Sequence, residues 1–270
     1  MMDKETLRKV QMVQLEIAQE IKRVCEEYKI PYFLEAGTLI GAVRHHGFIP
    51  WDDDLDIGML REDYDRFVRI APMALKPEYL WQDWLNDEHY ALPFGKVRKK
   101  NTLYQEEKNS KLKNNGFYVD VFPFDSAPVK EKDRIRLRKQ CDFLYRCLLM
   151  KELYRPWISE NKINWKKRIV YLFYQGAAIF RTHDTLVHKY EEQIRSIPES
   201  GCMYEQVGYN NSIYFERKWL ETTKEASFEG ELFQIPIGTD KRLTVEYGDY
   251  MTPPPENKRE NQHGIISIRF

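Results

Sequence analysis

The sequence predicts an α+β fold: a mixed-sheet core, a helical insertion, and a C-terminal segment that packs back on the core. Three observations predict it. Apolar residues Leu7, Val10, Val13, Leu15, Ile17, Ile21 and Val24 recur at helical spacing near the N-terminus. Beyond Pro31, short aromatic and β-branched runs bounded by Gly, Pro and Asp continue to about residue 126. From about Lys130 to Ser200 the pattern turns helical and strongly charged. The expected parts are residues 1–130 (core), 131–200 (helical insertion, on the acceptor or membrane side) and 201–270 (completing the core).

In chain order, ETLRKVQMVQLEIAQEIKRVCEEYK reads as one amphipathic helix that Pro31 stops. PYFLEAG follows as a short strand. Thr38 is expected to cap a helix over TLIGAVRHH, with Gly47 at its C-terminal cap. FIPWDDDLDIGML reads as a second strand, and REDYDRFVRIAPMAL as a helix ended before Pro77. FGKVRKKNTLYQ and GFYVDVFPFDSAP are strand-like. The last 70 residues mix short strands and turns and close on the polar, Pro-rich MTPPPENKRENQHG.

Forty-two basic and 42 acidic residues cancel. Without a basic surplus, nucleic acid is not an expected partner. Seventeen Tyr, 14 Phe and 6 Trp argue for a packed globular chain rather than disorder. Cys25, Cys141, Cys147 and Cys202 form no C-x-x-C pair, so they read as reduced thiols rather than a zinc site. MMDKETLRKVQ lacks the apolar stretch of a secretory leader. The expected location is the cytoplasm, or the inner face of the plasma membrane. The run Ile169–Phe180 is shorter than the ~20 residues of a span. Lys166, Lys167, Arg168 and Arg181 flank it, the pattern of a helix seated on an anionic membrane surface or of an ordinary buried helix.

Asp52, Asp53, Asp54 and Asp56 put four carboxylates into five positions. On a strand, alternation gives Asp52, Asp54 and Asp56 one face, with Leu55 and Ile57 turned to the core and Asp53 turned away. A row of carboxylates suits a hard divalent cation, Mg²⁺ or Mn²⁺. A calcium loop counted from Asp52 would need Gly at its sixth position and Glu at its twelfth; the chain has Ile57 and Asp63. Asp120, amid the apolar residues of GFYVDVFPFD, would be costly to bury alone and is expected to have a cationic partner. Asp125 is expected to cap a turn.

Gly37 and Thr38 precede the short helix, whose N-terminus suits a phosphate; Gly37 permits close approach and Thr38 can donate its hydroxyl. Phosphate there, with metal on the adjacent strand, describes a nucleotidyltransferase-like site. Arg44 either clamps a phosphate or pairs with a nearby aspartate. His45 and His46 diverge on a helix and read as structural. Lys96 and Arg98 share a strand face with Phe94, an arrangement that invites a pyrophosphate and that a solvated edge strand also presents.

The stretch EAGTLIGAVRHHGFIPWDDDLDIGM, followed in order by FGKVRKKNTLY, YVDVFPFD and YGDYMTPPP with a later His, resembles the LicD family of phosphocholine transferases, which includes the fukutin-related ribitol-phosphate transferases. The resemblance spans nearly the whole chain. It implies a nucleotidyltransferase-like catalytic core, a CDP-alcohol donor (commonly CDP-choline), and transfer of the phospho-alcohol to a glycan or lipid-linked glycan hydroxyl, as in teichoic acid or lipopolysaccharide decoration. It implies that Asp54, Asp56 and Asp120 are catalytic metal carboxylates, with Asp52 as an addition; in the mechanism expected from this set, one carboxylate, Asp120 first among them, takes the attacking hydroxyl's proton. It favours substrate roles for Lys96 and Arg98, and for His263 in the C-terminal loop. Trp51, Trp81, Trp84 and Tyr90 are candidates by type for holding a quaternary ammonium. Two other readings stand beside this one: nucleotidyl transfer with release of pyrophosphate, and a non-catalytic nucleotide- or metal-binding module.

Overall fold

A computed structural model describes residues 2–107, 112, 114–159, 162–205, 214–259 and 264–270. Helix α1 (Lys4–Tyr28) starts where the Asp3 carboxylate accepts the Thr6 N–H at 2.9 Å. It ends where Lys29 turns left-handed (φ 52°) and the Ile30 N–H reaches the Cys25 carbonyl, two residues before Pro31. Then come β1 (Phe33–Leu34), α2 (Ala36–Arg44), β2 (Asp56–Leu60), α3 (Arg61–Ala74), β3 (Tyr79–Gln82), β4 (Gly95–Lys99), β5 (Leu103–Glu106) and β6 (Tyr118–Ser126). The helical part is α4 (Glu131–Lys151), the small hairpin β7 (Ile158–Ser159) and β8 (Lys162–Ile163), α5 (Trp165–Ala178) and α6 (His183–Arg195). The rest comprises β9 (Cys202–Glu205), β10 (Tyr214–Glu216), the hairpin β11 (Thr223–Phe228) and β12 (Glu231–Pro236), α7 (Thr239–Tyr247) and β13 (Ile265–Arg269).

The main sheet is mixed, in the order β1-β2-β6-β4-β3, with β9 and β10 added beyond β6. Among the described strands only β2 and β6 run parallel, and α3 lies in the crossover between them. Strand β6 is central yet contains Pro123. On one edge β6 pairs with β4 through residue 121 and with β9 from residue 124, so the proline, which has no N–H to donate, falls in the gap between them.

Alternation along β2 and β6 divides the interior. Ile57, Met59, Val119 and Val121 face α1 and α2 in the main core. Leu60, Phe122, Phe124, Phe94 and Phe33 face a second, aromatic cluster with Met203 and Phe215. A third cluster belongs to the helical layer, where Leu137, Cys141 and Leu148 of α4 pack against Tyr171 of α5, Leu186 and Tyr190 of α6, and Trp84 and Tyr90. The mixed α+β fold agrees with the sequence expectation.

Three local expectations are corrected. Asp52–Leu55 is not strand; β2 begins at Asp56. Helix α2 starts at Ala36 with Glu35 at its cap position, and ends at Arg44 with His45 as cap, so Thr38 and Gly47 do not cap it. Gly47 instead lies against Glu229: a Cβ there would stand 2.4 Å from its carboxylate. Asp125 does not cap a turn. It lies in β6 and takes two hydrogen bonds, at 2.6 and 2.7 Å, from the Arg61 guanidinium at the start of α3.

Candidate active site

Two glutamines of α1 shape the acidic loop. Gln11 and Gln14 sit three apart, both buried among apolar neighbours. The Gln11 amide donates to the Asp52 carbonyl at 2.9 Å and the Gln14 amide to the Asp53 carbonyl at 2.8 Å. The Tyr104 hydroxyl reaches the same Asp53 carbonyl at 3.1 Å. With its backbone held from below, the loop stays extended without a ladder. Leu55 turns into the main core and Asp53 inward beside Tyr104. Asp52, Asp54 and Asp56 turn together into a cleft of roughly 500 Å³.

The first turn of α2 forms another wall of the cleft, through Ala36, Gly37, Ile40 and, one turn on, Arg44. A Cβ at Gly37 would stand 2.7 Å from an Asp52 carboxylate oxygen, so glycine is what lets Asp52 reach the start of this helix. Ala36 carries φ 48°, a left-handed conformation that costs a non-glycine residue about 1 kcal/mol or more. Thr38 faces inward, where its hydroxyl accepts the Asp56 N–H at 2.9 Å and ties α2 to the start of β2.

Arg44 donates to the Tyr250 carbonyl and, at 3.3 Å, to His45. Burial and the neighbouring Arg259 hold its pKa below the usual guanidinium value, against the opposing pull of Asp52. Arg259 lies over the Trp51 ring, 4.9 Å from its centroid. The C-terminal segment closes the cleft with Tyr247, Asp249, Tyr250, Thr252 and Pro254. Sequence reasoning did not single out these residues or Arg259, although YGDYMTPPP stands out as a motif.

Asp120 is not on the cleft wall. In register it neighbours Asp56 on one side and Lys96 on the other, so the three form a row across β2, β6 and β4. The Lys96 ammonium lies 2.8 Å from the Asp120 carboxylate, 3.8 Å from Glu106 and 3.3 Å above the Tyr118 ring. Asp120 therefore has the cationic partner its surroundings demand. Arg98 is buried away from the cleft. It donates to Gln82 and, at 2.7 Å, to the Gly116 carbonyl. Among the aromatic candidates, Trp51 lines the cleft, while Trp81, Trp84 and Tyr90 are buried in the cores. His263 lies outside the described residues.

Among the described residues, no three His, Cys, Asp or Glu side chains form a ready-made metal cage. Mg²⁺ seldom needs one. It is commonly held by one or two carboxylates, with water and substrate phosphates completing the shell. Three carboxylates on one cleft wall, facing a helix N-terminus and an arginine, are the donor chemistry for that arrangement.

Residues 29–149 match the family described as LicD/FKTN/FKRP, nucleotidyltransferase domain. The lipopolysaccharide cholinephosphotransferase LicD of Haemophilus influenzae is 29% identical over 262 residues, covering 97% of this chain and 97% of that protein. An uncharacterized protein of Rickettsia typhi is 46% identical over 57 residues, 21% of this chain and 18% of its own length. The ribitol 5-phosphate transferase FKRP of Mus musculus is 26% identical over 114 residues, 40% of this chain and 20% of that protein. The matched stretch, residues 29–149, holds Asp52, Asp54, Asp56 and Asp120, so the acidic wall of the cleft lies within the part of the chain that is similar to that nucleotidyltransferase domain.

Proposed function

We propose that the chain is a phosphotransferase that moves a phospho-alcohol, most directly phosphocholine, from a CDP-linked donor to a glycan hydroxyl. The observation that carries this reading is the cleft in which Asp52, Asp54 and Asp56 face Arg44 and the start of α2. The similarity to a lipopolysaccharide cholinephosphotransferase along 97% of both chains supports the choice of alcohol and of a glycan acceptor.

In this reading the donor's phosphates lie between the N–H groups at the start of α2 and the Arg44 guanidinium. Asp54 and Asp56, with Asp52 beside them, would hold Mg²⁺ or Mn²⁺, which neutralises phosphate charge when bound. The acceptor oxygen attacks the phosphorus that bears the alcohol. Its bond to the bridging oxygen breaks and CMP leaves. The hydroxyl proton passes to a carboxylate of the cleft. We move that role away from Asp120, because its charge is already matched by Lys96 at 2.8 Å. The choline ammonium would rest against Tyr247, Tyr250 or the free part of Trp51, with Asp249 nearby.

The test is to incubate the protein with Mn²⁺, a glycan acceptor and CDP-choline, CDP-ribitol, CDP-glycerol or CTP, and to identify the small product. Release of CMP from CDP-choline, with a matching rise in melting temperature on binding, is the expected result. Release of pyrophosphate from CTP would replace this reading with nucleotidyl transfer. Nucleotide binding without any product would mark a non-catalytic module.

A further inference from the structure

We infer that the outer face of α5 is a docking surface for an anionic lipid bilayer. Helices of globular proteins turn their apolar stripe inward. Helix α5 also carries one facing outward. Only Tyr171 and Ala178 of this helix are buried. Trp165, Ile169, Leu172, Phe173 and Phe180 are 61%, 65%, 56%, 67% and 94% exposed. At 100° per residue, Trp165, Ile169, Leu172, Phe173 and Gly176 fall on one continuous stripe, nearly opposite Tyr171 and Ala178, and Phe180 lies just past the end of the helix. The inner side is already occupied: Phe143 of α4 meets Tyr174 at 6.0 Å, and Trp157 meets Tyr171 at 5.9 Å.

The charge around the stripe selects the occupant. The whole chain is neutral, but residues 131–181, which span α4 and α5, hold 13 Lys and Arg against five Asp and Glu. Lys166 and Arg168 lie on the two flanks of the stripe at its N-terminal end, and Arg181 follows its C-terminal end. Apolar side chains bordered by cations match the boundary between acyl chains and acidic headgroups. Helix α5 has 14 residues, a length of about 21 Å at 1.5 Å per residue, short of a bilayer's hydrocarbon core of about 30 Å. Among the described residues, no helix is long and apolar enough to cross a membrane. The helix would therefore lie in the interface plane. This inference is independent of the proposed chemistry.

Sedimentation of the full chain with vesicles of phosphatidylcholine alone, or of phosphatidylcholine with one quarter phosphatidylglycerol, tests it. We expect most of the protein to pellet with the acidic vesicles and little with the neutral ones, with binding falling as salt rises. Phe173→Glu with Phe180→Glu should weaken binding to acidic vesicles at least about tenfold, by loss of buried apolar area and repulsion from the headgroups. Lys166→Glu with Arg168→Glu should remove the preference for acidic lipid. Both variants should keep the parent's circular dichroism; the Phe variant should lose a little melting temperature, because the Phe173 ring also meets Phe143 at 6.4 Å and Tyr174 at 5.4 Å. Failure of the parent to pellet, equal binding to both vesicle types, or undiminished binding of the Phe variant would each overturn the inference. So would a concentration-dependent dimer that the Phe variant converts to monomer, because a second copy would then cover this face.

Discussion

In the α/β half of the molecule, charge goes inward. Arg242 of α7 is fully buried, bonds Glu35 and Glu246, and stacks 3.8 Å from the Phe215 ring centroid. Asp120 is buried with Lys96, and Asp125 with Arg61. In the helical layer, apolar groups go outward: five of the 14 residues of α5 (Trp165, Ile169, Val170, Leu172 and Phe173) are apolar side chains more than half exposed. Each half thus breaks the usual rule of burial in the opposite sense. A buried ion pair is seldom the cheapest way to stabilise a core, and an exposed apolar stripe is seldom neutral for solubility. Such departures mark where geometry or a partner matters more than stability. In the first half the geometry is that of the cleft; in the second, the partner is the surface that would cover α5.

The largest expected effect would break the comparison outright. Asp54→Ala or Asp56→Asn should reduce CMP release by about a thousandfold or more, with unchanged circular dichroism. Near-normal turnover in either variant would mean that the acidic wall has no catalytic purpose. Next comes the buried pair beneath the cleft. Arg242→Met should cost about 3–5 kcal/mol, read as a loss of melting temperature and denaturant midpoint, because it strands Glu35 without its cation. Adding Glu35→Gln should recover part of the loss. If Arg242→Met alone is neutral, inward charge is not what holds α7 to α2.

A subtler variant is Gln14→Leu, which removes one hydrogen bond from the Asp53 carbonyl. We expect a stability loss of about 1–3 kcal/mol together with a fall in activity, although Gln14 touches nothing in the cleft. The smallest effect lies in the helical layer. His183 is bonded to Glu152 at 3.0 Å and to the Trp84 carbonyl at 2.8 Å. Burial works against its charged form, but these two bonds outweigh it and raise its pKa above 6.5. A raised folded-state pKa contributes stability that is complete below the unfolded value and is lost as pH rises through the folded one. Melting temperature should therefore decline modestly from pH 6 toward pH 8, and His183→Gln should flatten that slope.

Much of this was legible in the sequence, for local reasons. The period of α1, the crowding of carboxylates at 52–56 and the inward turn of Asp53 all depend on neighbours along the chain. The carboxylates converge as expected but for a different cause: not strand pleating, since only Asp56 is in β2, but two glutamines holding the loop from below. Those glutamines look like ordinary polar interruptions of an amphipathic helix until the loop is packed on them. Lys96 read as a phosphate ligand because its strand face was visible, whereas its partner was not. Only register across β4 and β6 brings it to Asp120. Helix α7 and the contributions of Tyr247, Asp249 and Arg259 were hidden because they depend on contacts roughly 200 residues apart along the chain.

That last separation has a consequence for biosynthesis. Asp52 and Tyr250 share one wall-to-wall space, and β13 pairs with β5 from the far end of the sequence. At the usual ribosomal pace of about 5–20 residues per second, the acidic loop emerges many seconds before the residues that complete its enclosure. A nascent chain therefore displays four aspartates within five positions, with no finished chamber around them until the segment around Tyr250 has been made.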